Sequence, residues 1–162
     1  MGLSEAPGTK APPALKLFLS YSHKDEEIKN ELRKHIFPLA RSGLILEWHD
    51  GKIEPGDKWD TTILKNLEGA DIIVFLISID FINSKYCYDT EMEVALDREA
   101  DGLATIIPIL VRNCLWKTTK LAPFQALPKD EQAIASWPDR DAALTEVADG
   151  IRIVAERLQS ER

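Results

Sequence analysis

Residue types and segments that mark several common functional classes are scarce in this chain of 162 residues. It has only two cysteines, Cys87 and Cys114, and neither is spaced with the three histidines as zinc ligands are. No apolar run approaches the ~20 residues of a membrane-spanning helix, and the run at 72–79 has the length of a strand. We therefore expect no metal site and no membrane partner. Two cysteines without a disulfide pattern favour a reduced, cytoplasmic protein.

The chain also has fewer positively charged than negatively charged residues. Lys and Arg number 20 against 27 Asp and Glu, which gives a net charge of −7. A nucleic-acid surface needs a concentrated positive field, so the acidic balance argues against a nucleic-acid partner. The hydrophobic fraction of 44% is ordinary for a globular domain, and the chain is long enough to bury a core of its own.

The order of apolar runs and helical periods indicates one α/β domain. Prolines and glycines in residues 1–14 predict a disordered leader, 15–158 form the domain, and 159–162 are a short tail. Strands are predicted at 15–20, 44–48, 71–78, 104–111 and, more weakly, 132–137. Helices are predicted at 25–41, 59–67, 84–100 and 141–158, with Ser84 as the cap of the third. The stretches between these elements, including 49–58 and 113–131, are predicted as loops.

Strands that are apolar on both faces and alternate with helices are typical of a parallel sheet covered on both sides. We predict a flavodoxin-like, doubly wound, five-stranded parallel sheet with helices on both faces. Ligands of such sheets bind outside the carboxyl ends of the strands. That rule directs attention to four loops, at 20–25, 49–58, 78–91 and 112–116.

The loop after the first strand lacks the signatures of several enzymes with this kind of sheet. Residues 20–24 contain no glycine, and the chain has no phosphate-binding loop motif, which disfavours dinucleotide-dependent oxidoreductases and P-loop enzymes. Ser20 and Ser78 end strands where a phosphoacceptor receiver domain needs acidic residues. No Gly-x-Ser-x-Gly elbow is present, and neither cysteine has a histidine partner in an obvious motif.

Glu91 is the acidic residue best placed to face the predicted cleft. On the helix predicted at 84–100 it lies at the margin of the apolar stripe, one turn after Cys87, at roughly 100° per residue. Glu93 falls on the far side of the helix, where water is expected. Glu91 is thus predicted to be half-buried at the rim of the cleft. Periodicity alone favours the alternative, a solvated helix carboxylate.

Three groups of residues together resemble the TIR domain, and the bacterial branch of that family in particular. They are the turn Ser20-Tyr21-Ser22 after a strand, the loop Trp48…Gly56…Trp59, and the segment Phe81-x-x-Ser84-x-x-Cys87…Glu91-Met92. The similarity covers residues 15–158. No single motif is specific, and the match rests on their order and spacing across the predicted strands.

The resemblance implies an NAD glycohydrolase, in which a glutamate on the helix after the third strand is essential. Motif order maps that glutamate to Glu91, with Glu93 as the alternative register, because Cys87 stands where the family usually has an aromatic residue. Residues 49–58 correspond to the family's BB loop. NAD is then a substrate, and neither a cofactor nor a metal is implied. The residues expected on the substrate side are Ser20, Tyr21, Trp48, Asp50, Lys52, Glu54 and Cys87.

The family also suggests partners and an alternative function. Catalytic members are commonly activated when TIR domains assemble, and bacterial ones act in anti-phage defence with a fused or separate sensor module. Other members are non-catalytic TIR–TIR adaptors, which is the main alternative for this chain. A nucleoside deoxyribosyltransferase-like enzyme shares the fold class and a carboxylate. Plain packing roles are also open for Trp48, Trp59 and Cys87.

Overall fold

Strands and helices alternate along the chain, as the sequence predicts. The computed structural model describes residues 12–84 and 90–162. The strands are β1 (Leu15–Ser20), β2 (Ile45–Trp48), β3 (Ile72–Ile77) and β4 (Thr105–Leu110). The helices are α1 (Glu26–Arg41), α2 (Trp59–Glu68), α3 (Ile79–Asn83), α4 (Met92–Ala100) and α5 (Arg140–Ser160).

All four strands of the described chain pair in parallel, in the order β2-β1-β3-β4. Every residue of β3 is buried, as expected for a central strand covered on both faces. The order places the carboxyl ends of β1, β2 and β3 side by side. A parallel sheet in an α/β fold is therefore confirmed.

Two hydrophobic cores lie on opposite faces of this sheet. Side chains alternate along β1, so Leu17 and Leu19 pack with α1 and α5, whereas Phe18 packs with α2 and α4. Ile151 of α5 and Ile63 of α2 are fully buried in the two cores. The apolar periods of these helices thus predicted correctly that the sheet is covered on both sides.

The prediction of a fifth strand at 132–137 is wrong. Those residues contain a short 3-10 turn, Ile134–Ser136, and the described sheet has four strands. The outer edge of β4 is already occupied, because the Leu110 amide donates to the Leu127 carbonyl and the Leu127 amide donates to the Pro108 carbonyl. A fifth strand would need those same backbone groups. The side chain of Ile134 is buried although it belongs to a 3-10 turn and not to a strand.

Pro108 fits inside β4 because its nitrogen faces away from β3. The amides of Thr105 and Val111 donate to carbonyls of Asp71 and Ile77 at the β3 side. Amides alternate in direction along a strand, so position 108 points to the opposite edge, where a missing N–H breaks no bond to β3. A proline inside an apolar run argues against a strand, but at this position it does not prevent one.

Of the helix predicted at 84–100, the structure shows α4 at Met92–Ala100, and residues 85–89 lie outside the described residues. A separate short helix, α3, occupies Ile79–Asn83, and Ser78 caps it by accepting a hydrogen bond from the Phe81 amide at 3.1 Å. Ser84 lies at the carboxyl end of α3. Glu91 precedes α4 in helical conformation. The sequence analysis left 79–83 as a loop, because a helix of five residues is too short to show an apolar period.

The remaining boundaries differ from the predictions by a few residues. α5 continues to Ser160, two residues past its predicted end, and within the predicted leader the described residues are 12–14. The loop at 49–58 contains a 3-10 turn, Asp50–Lys52. None of the helices in the described ranges combines the length and hydropathy needed to cross a membrane.

Candidate active site at the carboxyl edge of the sheet

A buried carboxylate lies at the end of β1. Glu91 is only 4% exposed, and the Ser20 hydroxyl donates a hydrogen bond to its Oε2 at 2.9 Å. Ser20 is 2% exposed and is the last residue of β1. Glu91 reaches this position because α4 packs on the same face of the sheet as the Ser20 side chain. The carboxylate is more deeply buried than the half-buried rim position expected from the sequence.

A cleft of about 490 Å³ opens at the same edge of the sheet, and neither Ser20 nor Glu91 is among the described residues that line it. Residues 21–24, which follow Ser20 directly, form one side of it, and Ser84 forms another part of the wall. Asp50, after β2, and Trp59, the first residue of α2, complete the lining. The indole of Trp59 is 46% exposed. The cleft therefore lies where β1, β2 and β3 end, as the rule for α/β sheets predicts.

Tyr21 and Asp50 join two of the strand ends across the cleft. The Tyr21 hydroxyl donates to Asp50 Oδ1 at 2.7 Å, and His23 Nε2 lies 2.7 Å from Asp50 Oδ2. Tyr21 is 3% exposed, so its ring is a fixed part of the wall. Asp50 thereby fastens the start of the 49–58 loop to the segment after β1.

A cluster of charged residues lies next to the Tyr21 ring. The buried ammonium of Lys29 lies 4.9 Å from the centre of the Tyr21 ring, and Arg33 Nε is within 2.9 Å of both carboxylate oxygens of Glu47. Burial lowers the pKa of Lys29.

Burial also lowers the pKa of His49 to about 4, against the opposing effect of Glu47. His49 is therefore neutral at neutral pH, and its Nδ1 accepts a hydrogen bond from the Gly51 amide at 3.0 Å. This bond caps the 3-10 turn that begins the 49–58 loop. A proton on Nδ1 of His49 would remove this hydrogen bond, so protonation of His49 would affect the conformation of the loop.

A second polar network ties the other loops of this edge together. Asp25 is 4% exposed and accepts hydrogen bonds from the Ser78 hydroxyl and from Arg112 Nη2, the latter at 2.9 Å. Arg112 Nη2 also donates to Asp80 at 2.7 Å. The chain segments that follow β1, β3 and β4 are therefore held in one arrangement.

The structure brings together only some of the residues predicted on the substrate side. Ser20 contacts Glu91, and Tyr21 contacts Asp50 beside it. Cys87 lies outside the described residues.

The remaining three predicted residues lie away from the cleft. Trp48 stacks on Phe18 with 5.3 Å between ring centres, and the Lys52 ammonium donates to the Glu47 carbonyl. Both Trp48 and Lys52 line a different cavity, at the β2 edge. Glu54 is exposed, and its amide bonds to Asp57.

Five residues of the cleft were not on the predicted list of substrate-side residues: Ser22, His23, Lys24, Trp59 and Ser84. Trp59 was predicted at the start of a helix, with a packing role left open, although the loop before it is rich in glycine and proline and loops often carry binding residues. His23 and Lys24 lie in the first of the four loops selected for inspection. Their position directly after β1 was the signal that could have identified them.

The arrangement offers one buried carboxylate, hydrogen-bonding groups and an aromatic surface beside an open cleft. Glu93, the alternative acid, is exposed and pairs with Lys120 at 2.6 Å. Burial raises the pKa of Cys114, which disfavours its thiolate. Within residues 12–84 and 90–162, no group of three or more His, Cys, Asp or Glu side chains is arranged to hold a metal ion.

Comparison with known proteins identifies the family to which the chain is similar. The family model for the TIR domain matches residues 17–147. A curated relative, an uncharacterized protein named y4lF from Sinorhizobium fredii, is 41% identical over 142 residues. This match covers 88% of the present chain but 44% of the relative, so the chain spans less than half of that protein.

Two solved structures share the fold. The TIR domain of the Toll-related receptor TRR-2 from Hydra magnipapillata superposes with a TM-score of 0.60 at 23% identity, covering 85% of this chain and 96% of that one. The TIR domains of the activated Roq1 resistosome, which recognizes the pathogen effector XopQ, give a TM-score of 0.54 at 19% identity, with 84% of each chain covered. At these identities the similarity concerns the fold.

Proposed function

Because the chain belongs to the TIR domain family, we propose that it is an NAD glycohydrolase that uses Glu91 as its catalytic carboxylate. The reaction breaks the bond between nicotinamide and ribose and yields nicotinamide with ADP-ribose or a cyclic ADP-ribose isomer. The observation that carries the proposal is the burial of Glu91 against Ser20, beside the cleft at the ends of β1, β2 and β3.

One carboxylate is sufficient for this reaction. Glycosidases that expel an alkoxide use a second carboxyl group to protonate it. The nicotinamide of NAD carries a positive charge as a pyridinium and leaves as a neutral base, so no acid is required. Positive charge then builds up on the ribose. A fixed carboxylate in a site of low water content stabilises that charge most effectively.

The hydrogen bond from Ser20 has a definite part in this scheme. It holds Oε2 of Glu91 at the end of β1 and so orients the carboxylate that is proposed to act on the ribose. Tyr21, Asp50 and Trp59 form the walls against which the nicotinamide riboside is held, with the exposed indole as a stacking surface. Substrate entry brings the ribose towards the end of β1.

The wider role proposed for the chain follows from its family. Activation by assembly with other TIR domains, a fused or separate sensor module, and action in anti-phage defence all belong to this proposal. The 49–58 loop is the element proposed to act between neighbouring copies. Its Gly56 has a φ of +95°, a conformation that few other residues adopt.

The decisive experiment compares two glutamates of one helical segment. We expect Glu91→Gln to abolish nicotinamide release from NAD, because the amide cannot stabilise a sugar cation as a carboxylate does. Glu93→Gln changes an exposed side chain on the same segment and should leave activity within about twofold. Released nicotinamide is measured by chromatography, and folding by circular dichroism. Full activity of Glu91→Gln would reject the assignment.

A non-catalytic interaction module is the second candidate. The deep burial of Glu91 favours it to some degree, because a carboxylate that bonds to Ser20 at 4% exposure also serves to hold α4 on the sheet. Under this alternative concentrated wild-type protein releases no nicotinamide. Glu91→Gln would then lower stability and have no activity to remove.

A further inference from the structure

A cavity of about 360 Å³ lies between β2, the terminal strand of the described sheet, and the last turns of α2. Three lysines from different elements line it: Lys16 of β1, Lys52 after β2 and Lys65 of α2. None of their ammonium groups is paired with a carboxylate in the part of the chain that the structure describes. Leu46 also lines this lysine cavity and is 59% exposed.

Acidic side chains do not cancel the charge of the lysine cavity. Glu47 is the one acidic residue among the described residues that line it. The Glu47 side chain points to the opposite face of the sheet, where both of its oxygens bond to Arg33 of α1. Glu68 of α2 is exposed but does not line the cavity. The cavity is therefore positively charged, although the chain has a net charge of −7.

A surface of opposite charge lies at the end of α4. Asp97 and Asp101 are both exposed and are one helical turn apart. Neither carboxylate forms an ion pair with a basic group of the described chain. Leu103, which follows them, is 55% exposed. Because a helix dipole disfavours carboxylates at the carboxyl end of the helix, a cation from a partner would stabilise this acidic end of α4.

The lysine cavity and the acidic end of α4 are neighbours on the same face of the molecule. α2 and α4 pack together over one face of the sheet, and each leads from the carboxyl end of one strand to the amino end of the next. Arg98 Nη2 donates to the carbonyl of Ala70, which lines the cavity, at 2.7 Å and to the carbonyl of Leu103 at 3.2 Å. Ala70 and Leu103 precede β3 and β4, so the two surfaces meet at the amino edge of the sheet, away from the cleft.

We propose that two copies of this chain form a dimer through this face, with the lysine cavity of each copy contacting Asp101 and Leu103 of the other. A two-fold axis parallel to α2 and α4, and between them, places α2 of each copy against α4 of the other. Two complementary surfaces that lie side by side are then both paired, and the assembly is closed. A second copy is the favoured occupant because the chain itself carries both charges, each beside an exposed leucine.

The dimer deepens the assembly part of the proposed function and rests on that function only for its effect on catalysis. Lys52 belongs to the 49–58 loop, so a partner that contacts the lysine cavity also contacts this loop. The cleft lies at the opposite edge of the sheet and stays accessible to NAD. Nicotinamide release is therefore expected to rise with the fraction of dimer.

Salt should affect the dimer in two opposite ways. Charges in contact at an interface are screened much less than distant charges, so salt up to about 0.15 M mainly removes the repulsion between the two net charges. At about 1 M the Debye length is only about 3 Å, and the ion pairs of the interface weaken as well. The dimer is thus expected to be most stable between these extremes.

The test exchanges one charge of each surface in the complete chain. Lys65→Glu and Asp101→Lys are prepared singly and together. The matched controls are Lys34→Glu, at an exposed lysine of α1, and Glu161→Lys, singly and together. Glu161 directly follows α5, as Asp101 directly follows α4. Sedimentation equilibrium over a hundredfold range of protein concentration, without NAD, gives the dimer Kd, and circular dichroism monitors folding.

We expect a monomer–dimer equilibrium for the wild type and a Kd at least tenfold higher for each single variant, because each change occurs twice in the dimer. The double variant should return to within about threefold of the wild type, since the exchanged charges attract again. The controls should stay within about twofold. Asp101→Lys reduces the net negative charge, so weaker dimerisation of this variant cannot come from general repulsion.

Four results would overturn the proposal. They are a wild type that remains monomeric at every concentration, a wild type that forms open-ended oligomers, single variants that dimerise as the wild type does, and a double variant that stays as weak as the single ones. If Lys65→Glu does not fold, Asp101→Lys and the decrease in wild-type dimer at high salt decide the question.

Failure of the proposed function has a different signature. In that case no protein releases nicotinamide, whereas the Kd values still follow the charges, and the interface stands without the enzyme. Nicotinamide release together with unchanged Kd values in all variants would retain the enzyme and eliminate the interface.

Discussion

At the scale of single residues, the contact between Ser20 and Glu91 determines what the candidate site can do. A buried carboxylate without hydrogen bonds is costly, and the Ser20 hydroxyl supplies one such bond at 2.9 Å. The two residues are 71 positions apart in the sequence. The same bond therefore stabilises the packing of α4 on β1 and orients the carboxylate proposed to act on the ribose.

Ser20→Ala should separate these two effects. Loss of the buried bond is expected to lower the free energy of unfolding by about 1–2 kcal/mol. The value of kcat should fall about tenfold, because the carboxylate loses the hydrogen bond that orients it towards the ribose. Urea denaturation and nicotinamide release provide the two measurements.

Ser42→Ala is the matched control, since that hydroxyl bonds to the Leu39 carbonyl on the surface of the molecule. It should change neither quantity appreciably. If Ser20→Ala loses stability but keeps full kcat, the serine supports the fold without positioning Glu91.

At the scale of elements, the turn after β2 couples a buried histidine to the 49–58 loop. His49 is 5% exposed and lies near Lys29, Arg33 and Lys52, and burial lowers its pKa to about 4. A proton on His49 would add a positive charge to this group and remove the acceptor for the Gly51 amide. The loop is therefore expected to loosen in acid.

The sign of the effect on stability follows from the direction of the pKa shift. The unfolded chain protonates His49 near pH 6.5, whereas the folded chain does so only near pH 4. The contribution of neutral His49 is complete above pH 6.5 and is lost as the pH falls to 4, by about 3 kcal/mol. His49→Asn retains a side-chain acceptor for Gly51 and should remove this part of the pH dependence.

Urea denaturation between pH 7 and pH 4 measures the difference between wild type and His49→Asn. His35→Asn, which changes a histidine of α1 that faces Asp141, is the comparison variant. Parallel curves for the wild type and His49→Asn would show that His49 does not titrate between these pH values.

At the scale of the whole molecule, the two edges of the sheet differ among the described residues. Leu127 occupies the outer side of β4, whereas β2 is the terminal strand at the other edge, with Leu46 59% exposed. The chain carries a net charge of −7, so copies repel each other at low ionic strength. Assembly of neighbouring copies should therefore depend on both protein concentration and salt.

If assembly completes the site, nicotinamide release per mole of protein should increase with protein concentration. The increase should be larger at 0.15 M salt than at 0.01 M, because the Debye length falls from about 30 Å to about 8 Å. Initial rates over a hundredfold concentration range measure this, with light scattering as a parallel record of assembly. Strict proportionality between rate and concentration would indicate a self-contained site.

Local patterns were sufficient to predict most of the fold. Apolar residues recur every second position in strands and about every 3.6 positions in helices, and this spacing shows which side of an element is apolar. The bounds of β1 through β4, α1, α2 and α5 were therefore predicted within a few residues. They do not report whether a strand has a free edge to pair with. For this reason the segment 132–137 was mistaken for a strand, although Leu127 already occupies the edge of β4.

The candidate site shows the same division between local pattern and tertiary contact. The sequence by itself determined that the chain is an acidic α/β domain, and it predicted ligand binding at the strand ends with Glu91 as the candidate acid. Only the tertiary structure decided that Glu91 is buried against Ser20, that Asp50 reaches Tyr21, and that Trp48 and Lys52 lie elsewhere. These contacts depend on β1 lying between β2 and β3, and strand order is a property of packing that no local period encodes.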